Sequence, residues 1–375
     1  MRYLVRAMMA TVFVAAAFCG SVRQSFGENP TAAAPLRVAI VGLVHDHAGG
    51  FFGSNLHRAD IQIVGIFEPD EKLAARYADR YGFERSLLFT RLDDMLEKVH
   101  PTAVLTYTNT FDHRVVVEAC ARRGIHVMME KPLAVSVDDA RAIERAAIAG
   151  KIHVLVNYET TWYPTTRDIF DRVHRGTIGE IRKIVAHDGH SGPKEIGASP
   201  EFLGWLTDPK LNGGGALFDF GCYGADLATW LLDGARPDSV TAVTQRIKPD
   251  IYPRVDDEAT IILTYPKAQV ILQASWNWPY GRKDLEIYGQ TGSILTVRKT
   301  DLILRGKGPT SEQATVAAAK APYDDSISYL RAVIAGEIKP DGPSSLATNI
   351  IVTEILDAAR QSAATGKKVL LSAGK

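Results

Sequence analysis

The chain has 375 residues, enough for two ordinary domains, and its 43 basic residues are balanced by 43 acidic ones. With no basic stripe, no nucleic-acid partner is expected. Aliphatic and aromatic content is that of a globular protein.

The N-terminus differs from the rest. Arg2 and Arg6 flank a short positive region, Ala7 to Gly20 is an apolar run of about 14 residues, and Ser25-Phe26-Gly27 sets small residues at the minus-three and minus-one positions of a cleavage site. Residues 1–27 therefore read as a secretory signal peptide, and the mature protein is expected in the periplasm or outside the cell. The run is shorter than the about 20 residues of a membrane-crossing helix, so no stable membrane span is expected. Bulky Phe18 argues against a lipid anchor on Cys19, and there is no adjacent Arg pair for the twin-arginine route. Residues 28–35, ENPTAAAP, read as a linker. Cys120 and Cys222, far apart and each inside a helix-like pattern, are expected as buried small residues without a disulfide.

From Leu36 to Asn157 strands and helices alternate. Apolar β-rich runs at 36–42, 61–67, 103–106, 126–129 and 153–156 are separated by helical patterns at 70–81, 115–123 and 136–149. Ser136 caps the last of these and Gly150 is expected to end it. This pattern predicts right-handed βαβ units and a Rossmann-like parallel sheet over 36–157. After Pro164 the pattern changes. Helices at 165–175 and after Gly221 accompany β-rich runs at 181–187, 239–247, 258–265, 269–276, 285–288 and 293–297, joined by short turns. Short turns make antiparallel neighbours, so residues 158–375 predict an α/β domain with a largely antiparallel open sheet, closed by helices at 324–336 and 347–365.

Chemistry concentrates at three places. In Gly124 to Val135, GIHVMMEKPLAV, Glu130 and Lys131 stand at the carboxyl end of a buried strand, where open parallel sheets bind ligands, and Pro132 stops the strand behind them. A plain strand-end ion pair is the competing reading. The first strand ends VGLVHDHAGG: Gly42 is in place, but Val44, Asp46 and His47 depart from a dinucleotide fingerprint, whose glycines serve the turn, the pyrophosphate approach and helix packing. Glu68, about 20 residues on, suits ribose hydroxyls and repels a 2'-phosphate. His45, Asp46 and His47 offer two imidazoles and a carboxylate as plausible metal ligands, but no second cluster is tied to them in sequence, and His187 and His190 would have to arrive from the other half. No metal is expected. In the third place, GGGALFDFGCYGADL over 213–227, Asp219 and Tyr223 lie four apart at the start of a helix, after glycines that allow close backbone approach. A helix-capping Asp beside a core Tyr is the plainer alternative.

These stretches, with VAIVG at 38–42, IFEPD at 66–70, TNTFDH at 108–113, GTIGEI at 176–181 and EIYGQTGSI at 286–294, resemble in order and spacing the Gfo/Idh/MocA oxidoreductases, of the glucose-fructose oxidoreductase-like kind. The resemblance covers nearly the whole mature chain. It implies a Rossmann domain for NAD, with NADP less favoured, a second domain whose open sheet often mediates homo-oligomers, and a site between the two. It implies catalytic roles for Lys131, Asp219 and Tyr223, and a cofactor set of Gly42, Val44, His45, Glu68, Asn109, His113, Glu130 and Lys131. The substrate it implies is a small sugar, polyol or related carbohydrate, oxidised at a hydroxyl by hydride transfer. A nearby lysine ammonium is expected to lower the Tyr223 pKa. Two alternatives keep the fold: an NAD-dependent glycosidase or lyase using transient redox, and a carbohydrate-binding protein that has lost the cofactor.

Overall fold

Apolar runs build the first sheet, and in four of its six strands most residues are buried on both faces, as expected for strands covered by helices on either side. The computed structural model describes residues 34–371; the signal-like segment, Cys19 and nearly all of the linker lie outside the described residues. In chain order the first part is β1 (Leu36–Val41), α1 (His47–Asn55), β2 (Ile61–Phe67), α2 (Glu71–Tyr81), β3 (Leu88–Phe89), α3 (Leu92–Val99), β4 (Ala103–Thr106), α4 (His113–Ala121), β5 (His126–Glu130), α5 (Val137–Gly150) and β6 (Val154–Asn157). The sheet order is β3-β2-β1-β4-β5-β6, and every pair is parallel. The order reverses between β1 and β4. That switch point is where doubly wound sheets open a ligand crevice.

The second part begins with α6 (Pro164–His174), β7 (Ile181–Gly189), α7 (Pro200–Leu206), α8 (Pro209–Asn212), α9 (Ala216–Asp219) and α10 (Gly221–Leu231). It continues with β8 (Ser239–Gln245), β9 (Glu258–Thr264), β10 (Gln269–Ser275), β11 (Arg282–Gly289), β12 (Ser293–Thr296), β13 (Asp301–Arg305) and β14 (Ser311–Thr315). Helices α11 (Ser326–Ile334) and α12 (Leu346–Thr365) and the short β15 (Val369–Leu370) follow. The nine-stranded sheet runs β14-β13-β12-β11-β7-β10-β9-β8-β15, antiparallel throughout except for the central β7/β10 pair. The fold class is therefore the predicted one: a parallel Rossmann-like sheet followed by a largely antiparallel one.

Three local readings need correction. Helix α5 runs through Gly150, and Lys151, at φ 53°, takes the left-handed cap. The glycine is there for another reason: a Cβ on it would sit 2.4 Å from the Ala121 carbonyl, so it lets α5 press against α4. Strands β13 and β14 had no predicted counterpart, because β14, SEQAT, is almost wholly exposed and carries no apolar alternation. Residues 326–334 do not simply close the second part. Ile327, Tyr329, Leu330 and Val333 of α11 join Val38, Ile40, Leu105 and Met128 in one core, so the chain returns to cover the first sheet.

Candidate active site

The buried run of β5 ends at Glu130, and the next residue, Lys131, turns its ammonium toward the second part of the chain. Its Nζ lies 2.5 Å from Asp219 Oδ1 and 3.1 Å from the Asp219 carbonyl. The other carboxylate oxygen, Oδ2, accepts the Trp276 indole N–H at 2.9 Å. Both side chains of the pair are 7% exposed. Burial disfavours each charge, but the partner's charge and hydrogen bond win: Lys131 is held above its ordinary value and Asp219 below. The three glycines before Asp219 are packed closely against Phe218, Val255 and Asp256. A Cβ on Gly215 would lie 1.8 Å from the Asp256 carbonyl, while the Asp256 carboxylate takes the Gly215 and Leu217 amides at 2.9 and 2.7 Å.

Asp219 closes the short α9 and Tyr223 lies in α10, with Phe220 between the two helices, so the pair does not share one continuous helix. They still converge: Lys131 Nζ stands 5.1 Å from the Tyr223 ring centroid. A second lysine, missed in the sequence, is closer. Lys283 Nζ is 4.4 Å from that centroid and 3.3 Å from the Tyr223 hydroxyl. It is paired with Glu159 at 2.5 Å, and Glu159 also accepts from Lys299 at 2.8 Å and from the Tyr163 hydroxyl at 2.7 Å. Tyr223 is 2% exposed, and burial, with Cys222 and the Asp219 and Glu159 carboxylates nearby, raises its pKa well above the usual phenol value. The expected lowering does not occur, because Lys131 and Lys283 each spend their charge on a carboxylate. Asp188 faces Lys283 directly across the β7/β11 pair and is buried, which pushes its carboxyl far above the ordinary range. No sequence signal marked Lys283, Glu159 or Asp188: only strand register and the chain reversal at β6 bring them to Tyr223. Glu159, Lys283 and Lys299 line a cleft of about 1020 Å³ together with Tyr163, His190 and Phe220.

The turn after β1 is tightly tied. Gly42 has φ 82°, and a Cβ there would fall 2.7 Å from Thr108 Cγ2. Glu68, 2% exposed, accepts the Leu43 amide at 2.8 Å and the Asp70 amide at 3.0 Å. Burial nonetheless raises its pKa, outweighing those two bonds. The His45 amide donates to the Tyr107 carbonyl, the Trp205 indole to the Val44 carbonyl, and the Ser199 amide to Asp46 Oδ2. The α7 region thus sits against the turn.

The Asn109 side chain is held at the head of α4, its Nδ2 donating to the Asp112 carboxylate and its Oδ1 accepting the Asp112 amide. His113 is buried, with Nδ1 3.2 Å from the Leu133 carbonyl and Nε2 without a partner. Glu130 binds His47 Nδ1 at 2.9 Å and the Asn157 amide at 3.0 Å. His187 pairs with Asp284 at 3.1 Å, and His190 accepts the Gly192 amide. Neither joins His45 and His47; Glu130 does, with all three offering ligand atoms within 4.8 Å of one another. Cys120 and Cys222 are buried and unpaired.

Comparison with known proteins places these features. Residues 36–158 match the family model described as oxidoreductase family, NAD-binding Rossmann fold, and residues 166–295 match the GFO/IDH/MocA C-terminal domain. A trans-1,2-dihydrobenzene-1,2-diol dehydrogenase of Xenopus laevis is 27% identical over 225 residues, which is 59% of this chain and 63% of that protein, so the match spans less than two thirds of its length. Among solved structures, an inositol dehydrogenase homolog from Azotobacter vinelandii complexed with NAD+ superposes with a TM-score of 0.79 at 19% identity, covering 90% of this chain and 98% of that one. An aldose-aldose oxidoreductase from Caulobacter crescentus complexed with glycerol gives 0.75 at 21%, covering 90% and 100%. With both halves of the architecture matched in order, the chain belongs to the Gfo/Idh/MocA oxidoreductase family.

Proposed function

We propose that this protein is an NAD-dependent oxidoreductase of the glucose-fructose oxidoreductase-like kind, acting on a hydroxyl of a sugar, polyol or related small carbohydrate. The observation that carries the reading is the meeting of Lys131, Asp219 and Tyr223 where β5 ends at the switch-point side of the sheet. Lys131, kept charged by Asp219, donates a hydrogen bond to the reacting oxygen. In the reducing direction the Tyr223 phenol, whose oxygen faces Lys283, gives its proton to the substrate oxygen, for which its raised pKa suits it; in the oxidising direction the same oxygen, as phenolate, takes the hydroxyl proton back. Asp219 positions Lys131.

The residues fit a dinucleotide best at its two ends. Glu68, buried at the end of β2, would meet the adenosine ribose, and Glu130, Lys131 and His113 would lie at the nicotinamide end. The turn of Gly42, Val44 and His45 would carry the pyrophosphate, with fewer free amides than a glycine-rich turn offers, since Leu43, His45 and His47 already donate to protein atoms. Bound there, the cofactor supplies the hydride acceptor. The similarity to an NAD+-bound relative and to an aldose-aldose oxidoreductase supports both cofactor and substrate class.

We also assign domain limits of 36–157 and 158–375, with α11 docking back on the first. The half-exposed face of β9 and β10 is the surface on which a second copy would pack. The leader over 1–27 directs export. Light scattering of the mature protein tests the packing of a second copy, and N-terminal sequencing of protein recovered outside the cytoplasm, expected to begin near Glu28, tests the leader.

The direct experiment is calorimetric titration of purified mature protein with NAD+ and NADP+, followed by absorbance at 340 nm with a panel of aldoses and polyols. Binding of NAD+ with net reduction by at least one of them supports the reading. Binding without net redox on a substrate that is nonetheless cleaved transfers it to a transient-redox glycosidase or lyase. Binding of neither dinucleotide removes it.

A further inference from the structure

We propose that His45, His47 and Glu130 form a binding site for a divalent transition-metal ion. His45 lies in the turn after β1, His47 opens α1 and Glu130 is the last residue of β5, and strand order brings these ends to one crevice. Their ligand atoms lie within 4.8 Å of one another, close enough for small side-chain shifts to close on one ion. Two imidazoles and one carboxylate are the protein ligands of open zinc sites and of non-heme iron sites. A single oxygen ligand among three makes magnesium or calcium a poor occupant.

The surroundings support the ligand atoms. Glu130 Oε1 is held by the Asn157 amide at 3.0 Å, and Asn157 by the Trp162 indole at 2.9 Å, which leaves Oε2 for a metal. That oxygen faces His47 Nδ1 at 2.9 Å, a contact an ion would replace. His45 Nε2 is buried with no partner, in a residue only 1% exposed. A buried polar atom left so is destabilising, and ligation would satisfy it. His45 Nδ1 accepts the His47 amide at 3.2 Å. A ring ligating through Nε2 carries its proton on Nδ1, so this long bond has to yield. The His47 side chain is 50% exposed, so the remaining coordination positions open toward solvent. The nearby Lys131 ammonium is neutralised by Asp219.

The site goes beyond the oxidoreductase reading and shares His45 and Glu130 with the proposed cofactor crevice, so Zn2+ binding is measured without dinucleotide and loss of NAD+ affinity in Glu130→Gln does not count against it. Mature protein freed of metal by dialysis against chelator would be titrated with Zn2+, Co2+ and Mg2+ by calorimetry, with the visible spectrum of the Co2+ form recorded. One Zn2+ per chain, a Co2+ spectrum perturbed from that of the aqueous ion, and no heat from Mg2+ are expected. His47→Ala, at a half-exposed position that spares the core, and Glu130→Gln should each weaken Zn2+ by at least about tenfold, with an unchanged far-ultraviolet spectrum. Zn2+ binding that is absent from the unmutated protein, or indifferent to both substitutions, overturns the proposal. Dinucleotide binding measured on the same samples stays informative either way.

Discussion

Lys131 and Asp219 lie 88 positions apart and meet at 2.5 Å, tying the end of β5 to the break between α9 and α10. Each has its ionised form secured by the other in a place where either charge alone would be costly. With the role proposed for Lys131, stability and catalysis would be linked at this pair.

Lys131→Met leaves the Asp219 carboxylate buried beside Trp276 with no counter-charge. Breaking a buried pair in this way costs about 3–5 kcal/mol. Lys131→Met with Asp219→Asn removes both charges and should recover most of that loss while remaining inactive. Urea midpoints for the three proteins check this; a single variant as stable as the unmutated protein would mean that the pair is not closed in solution.

Tyr223→Phe deletes one oxygen whose hydrogen bond, to Lys283, is long at 3.3 Å. Stability should change by no more than about 1 kcal/mol. Turnover of an identified substrate should fall by about a hundredfold to ten-thousandfold, as for other positioned acids and bases. If Lys131 and Tyr223 act on one oxygen as proposed, combining Tyr223→Phe with Lys131→Met should be little worse than the poorer single variant. Turnover retained within a few-fold in Tyr223→Phe would end its assignment as the proton donor.

Glu68 should make NAD+ bind more tightly than NADP+. Glu68→Ala should narrow that gap and also lower the thermal midpoint, because the Leu43 and Asp70 amides lose their acceptor. Glu68→Gln retains one acceptor oxygen and should lie between the two. Equal affinity of the unmutated protein for both dinucleotides, measured by titration, would remove the ribose role.

Burial lowers His113 from 6.5 to about 4 in the folded protein. Below pH 6.5 the unfolded chain takes up a proton that the folded chain refuses until about pH 4. Stability from this group is therefore complete above pH 6.5 and declines between those values, by at most about 3 kcal/mol. His45, also depressed by burial first of all, adds in the same direction. Urea midpoints at pH 7 and pH 5 should differ less in His113→Gln than in the unmutated protein; an equal difference would show that other groups set the acid limit.

Much of this molecule was legible before its structure. Alternation of apolar β-rich runs with helical periodicity determined the parallel sheet of 36–157, and short turns between later runs determined an antiparallel sheet. Both are local signals, written in side-chain period and in residues such as Ser136, whose hydroxyl does accept the Asp139 amide as its position predicts. Strand-end placement singled out Lys131, and spacing singled out Asp219 and Tyr223. What period and spacing could not carry was the partner of each charge. That Lys131 spends its ammonium on Asp219, that Lys283 and Glu159 stand over Tyr223, and that Glu130 completes a group with His45 and His47 depend on strand order and register between segments 60 or more positions apart. The Tyr223 pKa shows the consequence. A lysine beside a phenol predicts a lower value, yet in the folded chain both neighbouring lysines are neutralised and burial decides the sign, because desolvation and ion pairing are properties of the packed interior and not of the sequence neighbourhood.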